Sequence, residues 1–117
     1  MAVQRLHIQK RYSEIAISGN LVHLAGQLAE DTQQDIVGQT QQTLALIDRL
    51  LADAGTDKSH IMSVMIFLKN IERDYAAMNQ VWDAWVADIQ ALPRTCVEAK
   101  LYHPDVLVEM TVVAVKP

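Results

Sequence analysis

The sequence predicts one α+β domain, residues 1–117, with a single sheet of five to six strands and two helices packed on one of its faces. Two observations support this prediction. Apolar or alternating segments of strand length occupy the start, the middle and the end of the chain, and two longer segments between them have apolar residues at helical spacing. A chain of this length can bury about two-thirds of its unfolded surface in one core, so no second domain is needed.

The first quarter of the chain predicts three short strands. Val3 to Ile8 and Glu14 to Ser18 alternate weakly between apolar and polar residues. Leu21 to Ala25 follows the turn pair Gly19-Asn20, which is typical of a hairpin.

The first helix is predicted to open at Asp31-Thr32 and to stop at Gly55. Thr32 and Asp35 are spaced like the two partners of a capping box, and a glycine commonly follows a helix end. The residues at helical spacing are Ile36, Thr40, Leu44, Ile47 and Leu51.

The middle of the chain predicts a strand followed by a second helix. His60 to Leu68 is a nearly unbroken apolar run, as in strands buried on both faces. Asn70 can cap the helix, which should end before Pro93. Its apolar stripe, which we interpret as packing residues, comprises Tyr75, Met78, Trp82, Trp85 and Ile89.

The last quarter of the chain predicts a β-hairpin. Arg94 to Leu101 and Val106 to Val115 are its strands, and Tyr102 to Asp105 is its turn.

Two helices cover only one face of such a sheet, although two predicted strands are apolar on both faces. A large exposed apolar patch generally marks an interface. We therefore expect a closed homo-oligomer with helices outside and sheets packed inside.

The composition excludes several classes of protein. Ten basic and fourteen acidic residues give a formal charge of −4, without the basic cluster of a nucleic-acid binder. No apolar run approaches membrane-spanning length, and residues 1–10 do not resemble a signal peptide. With Cys96 as the only cysteine, we expect a reducing, cytoplasmic location.

Arg94 and Glu109 are the candidate functional residues, because each is a charge within an apolar strand. Such groups either pair with each other, lie at a solvated edge or bind a charged ligand. Alternation places Arg94, Cys96 and Glu98 on one face. If the hairpin pairs odd with even positions, Glu109 joins that face; the sequence does not fix the register.

Other reactive residue types carry weaker signals. Cys96 has no histidine beside it in sequence, and a cysteine within a strand is usually a small buried hydrophobe. The four histidines lack metal-ligand spacing, so no metal site is expected: His7, His23, His60 and His103.

Several segments occur in an order that resembles the RidA/YjgF family, also called the Rid or L-PSP family. They are Gly26 after a strand, the helix phrase from Tyr75 to Trp82, Pro93 to Val97, and Val108-Glu109-Met110. The resemblance runs from about Tyr12 to Val115 and is strongest to the branch typified by the bacterial protein YoaB.

The resemblance implies a chorismate-mutase-like α+β fold that forms a homotrimer, with ligand pockets in the clefts between subunits. It also implies hydrolytic deamination of reactive enamines and imines, such as 2-aminoacrylate, to 2-oxo acids and ammonia. Neither a metal nor an organic cofactor takes part in that reaction.

The resemblance assigns roles to residues at matching positions. Arg94 would bind the substrate carboxylate, for which a guanidinium fork is well shaped, and Glu109 would orient or activate the attacking water. The backbone at Gly26 and Cys96 would donate hydrogen bonds to the ligand. Further pocket residues would be Tyr12 and Asn79.

The chain departs from the family at two places that bear on substrate choice. The family phrase Gly-Pro-Tyr-Ser-Gln is replaced by the segment from Lys10 to Glu14, in which only Tyr12 and Ser13 remain. Ala25 stands where the family often has serine.

Two other functions stay open at this stage. A non-catalytic trimer with the same pocket could sense or sequester a small carboxylic metabolite through Arg94. Some family members are described as ribonucleases or translation inhibitors, but the acidic balance of this chain disfavours that function.

Overall fold

The computed structural model describes residues 2–117 as one α+β layer structure. Its elements are β1 (Gln4–Ile8), β2 (Ser13–Ser18), β3 (Leu21–Gln27), α1 (Ile36–Asp53), β4 (Ile61–Leu68), α2 (Ile71–Trp85), β5 (Arg94–Glu98) and β6 (Val108–Val115). A short 3-10 turn, Lys58–His60, precedes β4. The predicted sheet with two helices on one face is therefore confirmed.

The sheet has six strands in the order β1-β2-β3-β6-β4-β5. All neighbours are antiparallel except β4 and β5, which run parallel and are joined by α2. No helix of the described residues is long and apolar enough to cross a membrane.

The predicted hairpin of β5 and β6 is wrong. β6 lies in the middle of the sheet between β3 and β4, and β5 is an edge strand bonded only to β4. The helix between β4 and β5 permits a parallel crossover. Every second residue of β6 is buried, whereas β5 carries Arg94 and Glu98, which a sheet edge accommodates more easily.

The start of α1 and the end of α2 differ from the predicted boundaries, whereas the stop of α1 before Gly55 is confirmed. The N-cap of α1 is Asp35, not Thr32, because the Asp35 carboxylate accepts a hydrogen bond from the N–H of Gly38. α2 begins after its predicted cap, Asn70, but ends at Trp85 rather than beyond Ile89. Lys58 Nζ donates to the carbonyl of Trp85 at 2.5 Å, which satisfies a terminal acceptor of the helix.

The core lies between the helices and one face of the sheet. Val64, Ile66 and Leu68 of β4 point into it, whereas Met65 points the other way and is 36% exposed. β4 is therefore covered on one face only within a single chain, and the expected cover of its second face by other copies stays a prediction. The other face of the sheet stays apolar and open, with Leu21 and Val97 also partly exposed.

Candidate active site

Arg94 is the first residue of β5 and points toward α2. Its Nη2 donates to Asn79 Oδ1 at 2.6 Å and lies 3.4 Å from the hydroxyl of Tyr75. The guanidinium carbon lies 5.1 Å from the ring centroid of Trp82 and 5.9 Å from that of Tyr75. Within residues 2–117, no acidic side chain is within ion-pair distance of Arg94. The guanidinium is therefore held in place by neutral groups, and no carboxylate of the described residues forms an ion pair with it.

The sequence around α2 explains this arrangement. Asn70 Oδ1 accepts from the N–H of Arg73 and fixes the first turn of the helix. Tyr75, Asn79 and Trp82 follow at spacings of four and three, so they share one helix face. The helical spacing of the aromatic residues predicted only a packing role, and the polar Asn79 between them is the one sign in the sequence of a functional face.

Cys96 follows on the same face of β5 and is partly buried. Burial raises the pKa of its thiol, and the nearby charge of Arg94 offsets part of that effect. A thiol with a raised pKa is a poor nucleophile. The N–H of Val64 bonds to Pro93 O and the N–H of Ala99 bonds to Leu68 O, so by alternation the N–H of Cys96 points outward from the sheet edge.

Glu109 lies on the opposite, open face of the sheet. It pairs with Phe67, whereas Arg94 pairs with Val64, whose side chain points into the core. The two charged residues are two strands and three positions apart, which corresponds to roughly 14 Å between their Cα atoms. The conditional expectation that Glu109 shares a face with Arg94 and Cys96 is therefore wrong, because it depended on a hairpin that does not form.

The carboxyl group of Glu109 packs directly over Gly26. A Cβ at position 26 would overlap Glu109 Oε2, so a glycine is required for the carboxyl group to lie there. Gly26 lies where the pairing of β3 with β6 shifts register, between Leu24 and Gln27. Burial raises the pKa of Glu109, and no hydrogen bond or ion pair to it is formed by other described residues.

A cleft of about 1020 Å³ adjoins Glu109 and Gly26. Tyr12, 55% exposed, and Tyr102, 79% exposed, line it together with Arg11. Within one copy of the chain, the six residues predicted from the resemblance thus lie in two separate groups. Gly26, Tyr12 and Glu109 line this cleft, whereas the sheet edge at β5 carries Arg94, Asn79 and Cys96.

The described residues contain no cluster of three or more histidine, cysteine, aspartate or glutamate side chains suited to a metal ion. The two groups of residues offer a fixed cation, a half-buried carboxyl group and outward-facing backbone donors. Such a set can bind a small carboxylate and direct a water molecule.

Comparisons with known proteins show which sequences and folds this chain is similar to. The family model described as Endoribonuclease L-PSP matches residues 3–116. A RutC family protein of Haemophilus influenzae is 44% identical over 97% of this chain and 98% of its own length. The RutC family protein YoaB of Escherichia coli K12 is 39% identical over the same shares of the two chains.

One more distant relative has a named activity. The 3-aminoacrylate deaminase RutC of Acinetobacter baylyi is 33% identical over 81% of this chain and 79% of its own length. Among solved structures, a member of the YjgF protein family from Neisseria meningitidis superposes with a TM-score of 0.94 at 41% identity, covering 100% of this chain and 97% of the other.

Proposed function

This chain belongs to the RidA/YjgF (L-PSP) family, and on that premise we propose that it hydrolyses reactive enamines and imines to 2-oxo acids and ammonia. The observation that carries the proposal is the state of Arg94: a guanidinium fixed by Asn79, Tyr75 and Trp82, with no carboxylate of residues 2–117 to neutralise it. A fixed, unneutralised fork suits a planar carboxylate. The name of the Acinetobacter relative supports the reaction class.

The site requires two copies of the chain under this proposal. Arg94 and Glu109 lie on opposite faces of one sheet, so one copy alone cannot bring them to a single small substrate. We propose a homotrimer in which the β5 edge of one copy faces the open sheet and Gly26–Glu109 cleft of its neighbour. The apolar open face, including Met65 and Val97, supplies surface that such packing would bury.

The proposed reaction needs only orientation and proton transfer. Arg94 and the N–H of Cys96 hold the substrate carboxylate, and Glu109 accepts a proton from a water as its oxygen adds to the imine carbon. Glu109 passes that proton to the imine nitrogen, which gives a neutral carbinolamine. The hydroxyl of the carbinolamine then gives up its proton to the amino group through Glu109, the C–N bond breaks, ammonia leaves, and the carbon becomes the carbonyl of a 2-oxo acid. An imine carbon beside a carboxylate is already electrophilic, so holding the reactants together supplies much of the acceleration.

Turnover of an imine generated in situ tests the proposal. An amino-acid oxidase produces the imine of alanine, and a semicarbazide trap reports how fast it disappears with and without the protein. We expect acceleration by the wild type, loss of acceleration in Arg94→Ala, and retention in Lys100→Ala, which removes an exposed cation from the segment after β5. Full activity of Arg94→Ala would remove Arg94 from the mechanism.

The same assay separates the competing functions. A protein that only binds small carboxylic metabolites would show saturable binding of 2-oxobutyrate without any acceleration of hydrolysis. A ribonuclease would bind and cleave RNA with a strong dependence on salt, which a net charge of −4 does not favour.

A further inference from the structure

The charges that line the Gly26–Glu109 cleft are almost all satisfied within the chain, and Arg11 is an exception. Three contacts account for the others apart from Glu109: His7 Nε2 to Asp53 Oδ2 at 2.9 Å, Arg49 Nη2 to Glu30 Oε1 at 3.4 Å, and Gln27 Nε2 to Glu14 Oε2 at 2.6 Å. Arg11 lines the same cleft, yet no acidic group of residues 2–117 lies within ion-pair distance of it.

The backbone fixes the position of Arg11 at the edge of the cleft. The turn between β1 and β2 is closed by a hydrogen bond of 2.8 Å from the N–H of Gln9 to the carbonyl of Tyr12. Lys10 and Arg11 are its two central residues, and Arg11 lines the cleft whereas Lys10 does not. Neighbouring cations of the same turn thus differ in their access to the cleft.

Arg11 does not serve to neutralise Glu109. Burial is the cause of the raised pKa of Glu109, and no cation opposes it. The guanidinium therefore stands apart from the carboxyl group that would direct the water.

We propose that Arg11 is a specificity-determining residue that selects imines whose side chain ends in a second carboxylate, such as those formed from aspartate or glutamate. This inference rests on the proposed function. A substrate with its reacting carbon at Glu109 would extend its side chain along the cleft toward Arg11, where a carboxylate receives charge-assisted hydrogen bonds. A monocarboxylic imine has no group to make that contact.

The test compares two substrates across four proteins. The imines of aspartate or glutamate and of alanine are generated by the matching amino-acid oxidases, and kcat/KM is measured for the wild type, Arg11→Ala, Arg11→Lys and Lys10→Ala. We expect the wild type to prefer the dicarboxylic imine and Arg11→Ala to lower that preference about tenfold or more, since hydrogen bonds to charged groups are that strong. Arg11→Lys should retain part of the preference, because it keeps the charge without the fork, and Lys10→Ala should retain all of it.

The outcomes separate this inference from the proposed function. No acceleration of either imine by the wild type would contradict the proposed function. Hydrolysis of the alanine imine, combined with no preference for the dicarboxylic imine or with equal losses in Arg11→Ala and Lys10→Ala, would overturn the role of Arg11 and leave the proposed function standing. A preference that weakens at high ionic strength in the wild type, but not in Arg11→Ala, would support the role of Arg11.

Discussion

At the scale of single residues, Arg94 is held by neutral partners only, which makes it sensitive to any acid placed beside it. Asn79 accepts its shortest hydrogen bond, at 2.6 Å. A carboxylate at that position would keep the geometry but neutralise the charge that the proposed substrate needs. Comparing an amide with an acid at position 79 therefore distinguishes two effects on Arg94: holding the guanidinium in position and neutralising its charge.

We expect Asn79→Asp to weaken binding of 2-oxobutyrate by about tenfold or more, because the new carboxylate competes for a charge-assisted contact. Asn79→Ala is the matched control; it frees the guanidinium without neutralising it and should weaken binding less. Isothermal titration calorimetry measures both. Binding by Asn79→Asp as tight as that by the wild type would show that Arg94 does not receive the carboxylate.

Glu109 predicts a pH dependence of activity. A water-activating carboxyl group must be ionised, and burial raises the pKa of Glu109. We expect kcat/KM to fall as the pH drops through that raised pKa, so the acid limb should begin at a higher pH than for an ordinary glutamate. Glu109→Gln should remove the limb together with most of the activity. A profile identical in wild type and Glu109→Gln would exclude this residue as the base.

The same raised pKa predicts the sign of a stability effect. The folded state binds the proton of Glu109 more tightly than the unfolded chain, so its contribution to stability is greatest in acid and is lost as the pH rises through the raised pKa. The change in melting temperature caused by Glu109→Gln should therefore be more positive at pH 8 than at pH 4. Scanning calorimetry at the two pH values measures the difference.

At the scale of elements, one buried amide of α1 bonds to both loops beside the cleft: the loop that precedes α1 and the loop that precedes β6. Gln39 Nε2 lies within hydrogen-bond distance of three carbonyl oxygens, and Gln39 Oε1 accepts from the N–H of Leu107 at 2.9 Å. The three carbonyls belong to Thr32, Gln34 and Asp105, at 3.1, 3.0 and 2.9 Å. Leu107 directly precedes β6, so this amide fixes the start of the strand that carries Glu109.

We expect Gln39→Leu to destabilise the fold by about 3 kcal/mol, because it leaves several buried backbone groups without partners. Gln41→Leu is a matched control on the exposed side of the same helix and should change stability by less than about 0.5 kcal/mol. Urea unfolding measures both free energies. Equal, small effects would mean that water replaces the lost hydrogen bonds.

Local patterns predicted the elements but not their neighbours. Helical spacing located both helices, Asn70 is the predicted cap of α2, and the hairpin at Gly19-Asn20 is confirmed between β2 and β3. The order of the last two strands could not be read locally, because turn residues near Pro104 are compatible with a hairpin or with a longer connection. β6 lies in the middle of the sheet because its buried residues pack between β3 and β4. Those strands are distant in sequence, so a local pattern does not predict this pairing.

The candidate site shows the same division. Residue identities at Arg94, Glu109 and Gly26 were accessible from the sequence, and the close packing of Glu109 over Gly26 gives the glycine a physical reason. The face on which each side chain lies was not accessible, since a single error in strand order moves Glu109 to the wrong side of the sheet. The aromatic neighbours of Arg94 required tertiary structure to be recognised as its supports.

At the scale of the whole molecule, the open sheet face and the divided site have one common explanation. In the proposed homotrimer, a second copy that covers the apolar face would also bring its own β5 edge toward the Gly26–Glu109 cleft of the first. Closed symmetry would repeat this contact at every interface, so each site would combine Arg94 from one copy with Glu109 from the next. The sites and the assembly would then be lost together on dilution into monomers.

Mixing two inactive variants tests this arrangement directly. Arg94→Ala and Glu109→Gln each remove one half of every site, but in mixed oligomers some sites combine the intact Arg94 of one copy with the intact Glu109 of its neighbour. Random assembly of equal amounts should restore about a quarter of the wild-type activity, because each closed interface draws its two halves independently. Each variant assembled alone should stay inactive, and the Arg94→Ala/Glu109→Gln double variant mixed with either single variant is the control, since no pairing of those copies restores a complete site. No recovery in any mixture would contradict a site that combines Arg94 of one copy with Glu109 of its neighbour.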